Sequence, residues 1–215
     1  VKMDALVRHD QSSYHILDYD ELMHPIGAQL CGSNLNFVVE ASKIIEDLGF
    51  DVLDLNCGCP VDKVVRDGGS GLLKTPDLIG ELLCKMVNAV NIPVTVKIRA
   101  GWDDNSVNVE ETTRIAEEAG ASAIFIHGRT RKQGYRGKAC WDYIRQGKDV
   151  AKEMPVFGNG DVFDKISAEN MMEETGCDGV LISRGTLGQP WLGREILEDT
   201  PVYRDCLEVL FEHFE

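Results

Sequence analysis

The chain has 215 residues, of which 43% are hydrophobic, and a formal net charge of −14. This length allows one sizeable hydrophobic core, or one domain with a fragment of another. No apolar run approaches the ~20 residues of a membrane-spanning helix, so we expect no membrane partner. The negative charge argues against a surface that holds nucleic acid by bulk electrostatic attraction.

Seven cysteines are scattered through the sequence at irregular spacing. An odd number of irregularly spaced cysteines does not suggest a disulfide framework. A reducing compartment with free thiols is the simpler explanation. The sequence therefore predicts a cytoplasmic protein.

Strand and helix patterns alternate along the chain. The first strand pattern, at residues 1–6, suggests the end of a strand. Further strand patterns occur at 25–30, 52–55, 93–98, 123–127, 155–157 and 179–182. Amphipathic helix patterns lie between them, and three of these end at a glycine, a common residue just past a helix C-terminus. These glycines are Gly49, Gly120 and Gly176.

The alternation of strands and helices requires a parallel sheet covered by helices. A closed barrel of this type needs eight strands, one more than the seven patterns found. We therefore predict an α/β fold, an incomplete (β/α)8 TIM barrel with strands 2 to 8 present. A doubly wound open sheet is the less favoured alternative.

Polar side chains stand at the carboxyl ends of four otherwise apolar strands: Gln29, Asn56, Lys97 and His127. Side chains alternate faces along a strand, so each lies opposite its apolar neighbours and could point into the barrel mouth. Any one of them could be an ordinary buried polar residue, and Lys97 could form a salt bridge with Asp54. Four such strand ends together favour a shared site.

The segment from Asp54 to Pro60 changes abruptly from an apolar strand to a polar turn carrying two thiols, Cys57 and Cys59. Pro60 stops the strand and suits the first turn of a helix. Three interpretations are open: two buried cysteines, a Cys-x-Cys metal chelate, or a catalytic thiol at a strand exit.

Glycine-rich turns follow the last two strand patterns. They are Gly158-Asn159-Gly160-Asp161 and Ser183-Arg184-Gly185. Turns after the seventh and eighth strands are the usual phosphate site of this barrel, and Arg184 would add charge-assisted contacts to the anion. The sequence therefore favours a phosphate-bearing cofactor, and no GxGxxG motif suggests a Rossmann dinucleotide site.

With these motifs in place, the chain resembles the tRNA-dihydrouridine synthases, flavin enzymes that reduce a uridine base in tRNA. The resemblance runs from near residue 1 to about Ile196. Its five segments are highly specific together through their order and spacing. They are Asn56-Cys57-Gly58-Cys59-Pro60, Lys97-Ile98-Arg99-Ala100-Gly101-Trp102, His127-Gly128-Arg129-Thr130-Arg131, Gly158-Asn159-Gly160-Asp161 and Ser183-Arg184.

The resemblance implies an FMN-dependent oxidoreductase that reduces the C5–C6 bond of uridines in tRNA with NADPH, without a metal. The flavin would supply a hydride to C6, and Cys59, which keeps the family's Asn-x-x-Cys spacing, would donate a proton to C5. A thiol is mostly protonated at pH 7. The residues implied to hold FMN are Gln29, Lys97, His127, Asn159, Gly160, Asp161, Ser183 and Arg184. The resemblance also implies a place at the flavin or the base for Asn56, Arg99 and Arg129. We assign these three residues, together with Arg131, to the tRNA substrate.

Three departures from the family pattern are visible. The family's first strand, with a Pro-Met-Ala turn that contacts the flavin, is absent, as is most of a carboxyl-terminal helical domain. Residues 1–200 are expected to form the FMN-binding barrel domain without that first strand, and residues 201–215 to begin the helical domain. The chain would then be part of a longer protein or a truncated product. Ser183 replaces a usual glycine, although its backbone amide could still serve the phosphate.

Basic residues concentrate in two loops at the carboxyl end of the predicted barrel. They are Lys63, Arg66, Arg129, Arg131, Lys132, Arg136 and Lys138, with Tyr135 among them. Charged residues in loops are usually only solvated, but the location of these basic residues favours contact with RNA phosphates. Three other functions remain open: a flavin enzyme acting on a free pyrimidine, similar to dihydroorotate dehydrogenase, a Schiff-base aldolase using Lys97, and a non-catalytic tRNA-binding fragment.

Overall fold

The computed structural model describes residues 1–198. Its strands are β1 (Gly27–Leu30), β2 (Val52–Cys57), β3 (Val94–Arg99), β4 (Ala123–His127), β5 (Val156–Asn159) and β6 (Gly179–Leu181). Its helices are α1 (Met3–Val7), α2 (Gln11–Ile16), α3 (Val38–Asp47), α4 (Asp62–Val65), α5 (Pro76–Val87), α6 (Val109–Glu118), α7 (Asp142–Val150), α8 (Lys165–Thr175) and α9 (Leu192–Glu198). Short 3₁₀ turns occur at Glu21–Met23, Gly69–Lys74 and Arg184–Thr186.

The strands form one parallel sheet in the order β1-β2-β3-β4-β5-β6. Each strand pairs with its neighbour in sequence, as in a β/α barrel, and the order never reverses as it does in a doubly wound sheet. Six strands are two fewer than a closed barrel has, and within residues 1–198 the sheet is open. The predicted fold class, an incomplete barrel, is confirmed.

The predicted strand at residues 1–6 is wrong, because Met3–Val7 is helical. Met3 and Leu6 are buried at a spacing of three residues, which lets a short helix place both against the core. Only Lys2 makes a strand-like contact, an isolated bridge to Cys31. Six residues are too few for periodicity to separate strand from helix. The predicted helical domain at 201–215 lies outside the described residues.

The two faces of the sheet differ in polarity, as β2 shows. Leu53 and Leu55 are fully buried under the helices, while Asp54 and Asn56 face the barrel interior and are half-buried. The covering helices contribute apolar stripes, for example Ile79, Leu82, Leu83 and Met86 of α5. Burying each such side chain stabilises the fold by roughly 1.5–3 kcal/mol. The apolar packing outside the sheet therefore fixes which polar side chains point inward.

None of the helices in the described part of the chain is long and apolar enough to span a bilayer.

Candidate active site

A cavity of about 640 Å³ opens at the carboxyl ends of the strands. Parallel sheets place binding sites at this edge, and the volume suits a cofactor-sized ligand. The sequence-predicted residues that line it are Gln29, Asn56, Cys59, Lys97, Arg99, His127, Asn159, Gly160, Asp161, Ser183 and Arg184. Of the predicted site residues, Arg129 and Arg131 are not brought into this cavity.

The turn that carries Cys59 is held by side chains on both sides. Asn56 Oδ1 accepts hydrogen bonds from the backbone amides of Gly58 (3.1 Å) and Cys59 (2.9 Å). Ser70 Oγ donates to the Cys59 carbonyl at 2.8 Å. Cys59 lines the cavity, whereas Cys57 is fully buried in the core, where burial raises the pKa of its thiol well above the ordinary value. The two thiols therefore occupy opposite environments.

A row of polar side chains continues from Asn56 across the inner face of the sheet. Asn56 Nδ2 donates to Gln29 Oε1 at 2.6 Å, and Gln29 Nε2 donates to Asp54 Oδ2 at 2.8 Å. Thr95 Oγ1 donates to the other oxygen of Asp54 at 2.7 Å. Burial raises the pKa of Asp54, an effect that its hydrogen bonds to Thr95 and Gln29 and the charge of Lys97 oppose.

Lys97 is a half-buried cation in the cavity with no ion-pair partner among residues 1–198. Its Nζ donates only a long 3.5 Å hydrogen bond to the carbonyl of Ile98. The alternative of a salt bridge to Asp54 is not found, and that carboxylate accepts hydrogen bonds from Gln29 and Thr95. Burial lowers the pKa of Lys97 to about 7, the charge of Arg99 adds to the shift and Asp54 opposes it.

His127 is buried and surrounded by positive charge. Burial lowers its pKa to about 2, and the charges of Lys97, Arg99, Arg129 and Arg184 act in the same direction. The imidazole is therefore neutral at physiological pH. Arg129 Nη1 lies 3.3 Å from Nε2 and can only donate, which assigns the ring proton of His127 to Nδ1.

Arg129 does not line the cavity, and only 2% of its side chain is exposed. Its Nη2 donates to both carboxylate oxygens of Asp161, at 2.8 and 2.7 Å, and to the Gly137 carbonyl at 2.6 Å. Asp161 also accepts from the Ala139 amide (2.7 Å) and from Arg184 Nη2 (3.3 Å). This buried ion pair fixes the turn after β5, where Asp161 itself has a left-handed φ of 60°.

Arg99 is buried and bound mainly to backbone. Its Nε donates to the Gly58 carbonyl at 2.7 Å and its Nη1 to the Gly134 carbonyl at 2.7 Å, which ties the Cys59 turn to the loop after β4. Its guanidinium also lies 5.3 Å from the ring centroid of Tyr135, and that of Arg184 lies 5.2 Å from the same ring. Tyr135 therefore stands at the cavity between two cations.

Arg131 lies outside the cavity and pairs with Asp62. Its guanidinium sits 4.6 Å from the centroid of the Trp102 ring, which Lys74 Nζ approaches at 3.5 Å. The neighbouring Lys132 pairs with Asp103 at 2.7 Å. The basic loop is therefore partly neutralised by nearby acidic residues.

Sequence reasoning missed the roles of Asp54, Thr95 and Phe163. Asp54 and Thr95 share the inner face of the sheet with Asn56 and Lys97, and strand parity alone could have linked them. Phe163 lines the cavity beside Arg184 at 5.9 Å. It lies in a loop, where no periodicity predicts direction. Within residues 1–198 no group of three or more His, Cys, Asp or Glu side chains could hold a metal ion.

The chain is similar to several curated proteins. A probable tRNA-dihydrouridine synthase of Rickettsia conorii (strain ATCC VR-613 / Malish 7) is 38% identical over 224 aligned residues, covering 100% of this chain and 64% of the relative. The tRNA-dihydrouridine synthase B of Escherichia coli (strain K12) is 41% identical over 169 residues, covering 78% of this chain and 52% of the relative. The chain thus spans between about half and two thirds of the length of these relatives.

Solved structures of larger enzymes share the fold. A 2-naphthoyl-CoA reductase in complex with 2-naphthoyl-CoA superposes with a TM-score of 0.61 at 11% identity, covering 78% of this chain and 29% of that chain. A 6-hydroxypseudooxynicotine amine oxidase from Pseudomonas geniculata N1 gives 0.59 at 16% identity, covering 77% and 28%. At these identities the likeness supports the barrel fold alone.

The family model described as dihydrouridine synthase matches residues 1–208, nearly the whole chain. The match includes the strands and turns that build the cavity. The chain belongs to the dihydrouridine synthase family.

Proposed function

We propose that the protein reduces the C5–C6 double bond of uridines in tRNA in the cytoplasm, with FMN as its cofactor and NADPH as the reductant. Family membership supports the reaction class. The observation that carries the proposal is one cavity that joins the Cys59 thiol, the glycine turns after β5 and β6, and Lys97, which has no ion-pair partner within residues 1–198. Incubating the complete gene product with NADPH and tRNA lacking dihydrouridine should yield tRNA nucleosides heavier by two hydrogens.

The residues present fit a flavin mononucleotide, and the family is flavin-dependent. A half-buried ammonium without an anionic partner is costly unless a ligand supplies one, and Lys97 is such a group in the described part of the chain. A Cβ at Gly185 would lie 2.4 Å from the Val162 carbonyl oxygen, so the turn after β6 packs closely against the turn after β5. Arg184 joins both turns and supplies a guanidinium for a phosphate.

In this proposal different residues of the cavity bind the ring and the phosphate of the flavin. Gln29, Lys97 and His127 would contact the polar edge of the flavin ring. The turn from Asn159 to Asp161, with Ser183 and Arg184, would hold its phosphate. When bound, the flavin supplies the hydride for C6 of the uracil.

The chain's own residues would supply the proton and stabilise charge. The Cys59 thiol would donate a proton to C5 of the base. Asn56 holds the turn from which that thiol acts. Lys97, or the Nδ1–H of neutral His127, would donate to O4 of the base, where negative charge develops.

The base must leave the tRNA stack to reach such a cavity. Tyr135 is 59% exposed at the cavity, and it stands between Arg99 and Arg184. The loop after β4 that carries it also carries the cluster Arg131, Lys132 and Arg136. We propose that this loop contacts tRNA phosphates.

Replacing Lys97 by Met is expected to stabilise the flavin-free protein by about 2 kcal/mol, because it removes a half-buried ammonium. It should also weaken flavin binding, because that ammonium is proposed to contact the flavin. The pKa of Lys97 is about 7 in the folded state against an ordinary 10.5. Between these values the unfolded chain binds more protons, so wild-type stability rises with pH and the advantage of the variant shrinks. Urea unfolding at several pH values measures the difference in the free energy of unfolding between the variant and wild type. Lys63→Met, at an exposed lysine, is the control, and a destabilised Lys97→Met would contradict the assignment.

Replacing Arg131, Lys132 and Arg136 together by Ala should weaken tRNA binding by the complete gene product and leave flavin content unchanged. If these residues contact phosphates, the logarithm of affinity should depend less steeply on the logarithm of salt concentration. Removing three exposed charges from the outer face, with Arg114, Arg145 and Lys152 changed to Ala, is the control. Equal tRNA affinity and equal salt dependence in the two triple variants would show that the loop is solvated and does not contact tRNA.

A further inference from the structure

The hydrogen bonds that hold the Cys59 turn have a direction that can be followed from the backbone inward. A backbone N–H can only donate, so the amides of Gly58 and Cys59 require the oxygen of the Asn56 side chain. The nitrogen of that amide then points to Gln29 and donates to Oε1 at 2.6 Å. The orientation of Asn56 is therefore fixed from one side by the turn.

The orientation of Gln29 follows from that of Asn56. Because Gln29 presents its oxygen to Asn56, it must present its nitrogen on the other side, where Asp54 Oδ2 lies at 2.8 Å. Asp54 stands opposite Gln29 in the β1–β2 register and opposite Thr95 in the β2–β3 register. The row of amides thus ends at an acceptor placed on the neighbouring strand.

We propose that Asp54 is a positioning residue for the thiol of Cys59, since it terminates a directional hydrogen-bond chain through Gln29 and Asn56 that holds the Cys59 turn. This role rests on the proposed function of Cys59 as proton donor. Without an acceptor at position 54, the Gln29 amide is free to rotate and present its nitrogen to that of Asn56. Asn56 would then hold the turn less firmly, and the thiol would be less well aligned with the base.

Amide hydrogen exchange at Gly58 and Cys59 in the complete gene product tests the chain without using activity. In Asp54→Leu, which is similar in size but has no acceptor, we expect exchange at both amides to accelerate by about tenfold. In Asp54→Asn the side-chain oxygen still accepts from Gln29 and the nitrogen can donate to the Thr95 hydroxyl. Exchange should then stay within about twofold of wild type, because the acceptor is retained.

Thr95→Val is the matched control. It removes the other hydrogen bond of Asp54 at nearly constant volume and leaves the contact with Gln29 intact, so exchange at Gly58 and Cys59 should not change. Gln29→Met tests the chain by a second route if Asp54→Leu fails to fold. It removes both the acceptor for Asn56 and the donor to Asp54 from a side chain of similar size, and exchange should accelerate. Unchanged exchange in Gln29→Met would overturn the proposal.

Single-turnover dihydrouridine formation adds the functional readout. Asp54→Leu should retain KM for tRNA, while kcat per bound flavin falls by about tenfold or more. Asp54→Asn should lose less. Equal acceleration of exchange in Asp54→Asn and Asp54→Leu would show that the charge of Asp54 matters instead of its acceptor oxygen, and it would overturn the proposal. Accelerated exchange with unchanged kcat in Asp54→Leu would also overturn it. If Cys59→Ala kept full activity, the proposed proton donor would be wrong, whereas the exchange results would still report on the chain itself.

Discussion

In the complete gene product, Cys59→Ala is expected to retain its flavin and to oxidise NADPH, yet to form dihydrouridine about 10²–10⁴-fold more slowly. The thiol would be needed only to protonate C5 of the base. Cofactor binding and its reduction by NADPH should therefore not depend on it. Single-turnover reactions that start from pre-reduced enzyme and tRNA separate these steps.

Cys57→Ala is the matched control, since it removes a second thiol two residues away. Cys57 is fully buried at the end of β2, on the face that packs under the helices. We expect a loss of about 1 kcal/mol in stability from the small cavity and little change in rate. If Cys57→Ala abolished dihydrouridine formation and Cys59→Ala did not, the assignment of the proton donor would be reversed.

Replacing Asp161 by Asn is expected to lower the free energy of unfolding by about 3 kcal/mol. The change leaves the guanidinium of Arg129, which is only 2% exposed, without its countercharge, and an uncompensated buried charge is costly. The turn after β5 would lose its anchor at the same time, so flavin content should fall as well. Chemical unfolding and the flavin-to-protein ratio measure the two effects.

The effect of Asp161→Asn should also depend on pH. Burial opposes ionisation of Asp161, but the Ala139 amide and the Arg129 guanidinium hold its pKa below the ordinary value. The carboxylate therefore stabilises the fold above about pH 4 and loses that contribution as pH falls through the folded-state pKa. The difference between wild type and variant should shrink in acid. Glu110→Gln, at an exposed pair with Arg114, should cost about 0.3–0.5 kcal/mol, and an equal cost at Asp161 would contradict the buried ion pair.

The fold was predictable because alternating patterns of period two and 3.6 recur along most of the chain. The exception, the segment at residues 1–6, shows the limit of that signal. Met3 and Leu6 are buried by a five-residue helix that periodicity over so short a stretch cannot identify. Tertiary packing against the barrel decides its conformation.

The gathering of Gln29, Asn56, Lys97 and His127 was predictable from strand parity, because the carboxyl ends of parallel strands meet at one edge. The ion-pair partners of the nearby arginines were not predictable. Arg131 pairs with an aspartate 69 residues earlier, and Arg129 with one 32 residues later. Loops between strands set these contacts, and no local pattern specifies which acid meets which base. The roles given to the cavity residues at the sequence level remain predictions.

The most direct test of the proposed function is the return of visible flavin absorbance after the complete gene product has been reduced by NADPH without oxygen. Addition of tRNA that lacks dihydrouridine should restore the absorbance as the bound cofactor is reoxidised. Addition of the same tRNA already carrying dihydrouridine, or of free uracil or orotate, should leave the protein bleached. A colourless purified protein, or absorbance restored by a free pyrimidine and not by tRNA, would contradict the proposal.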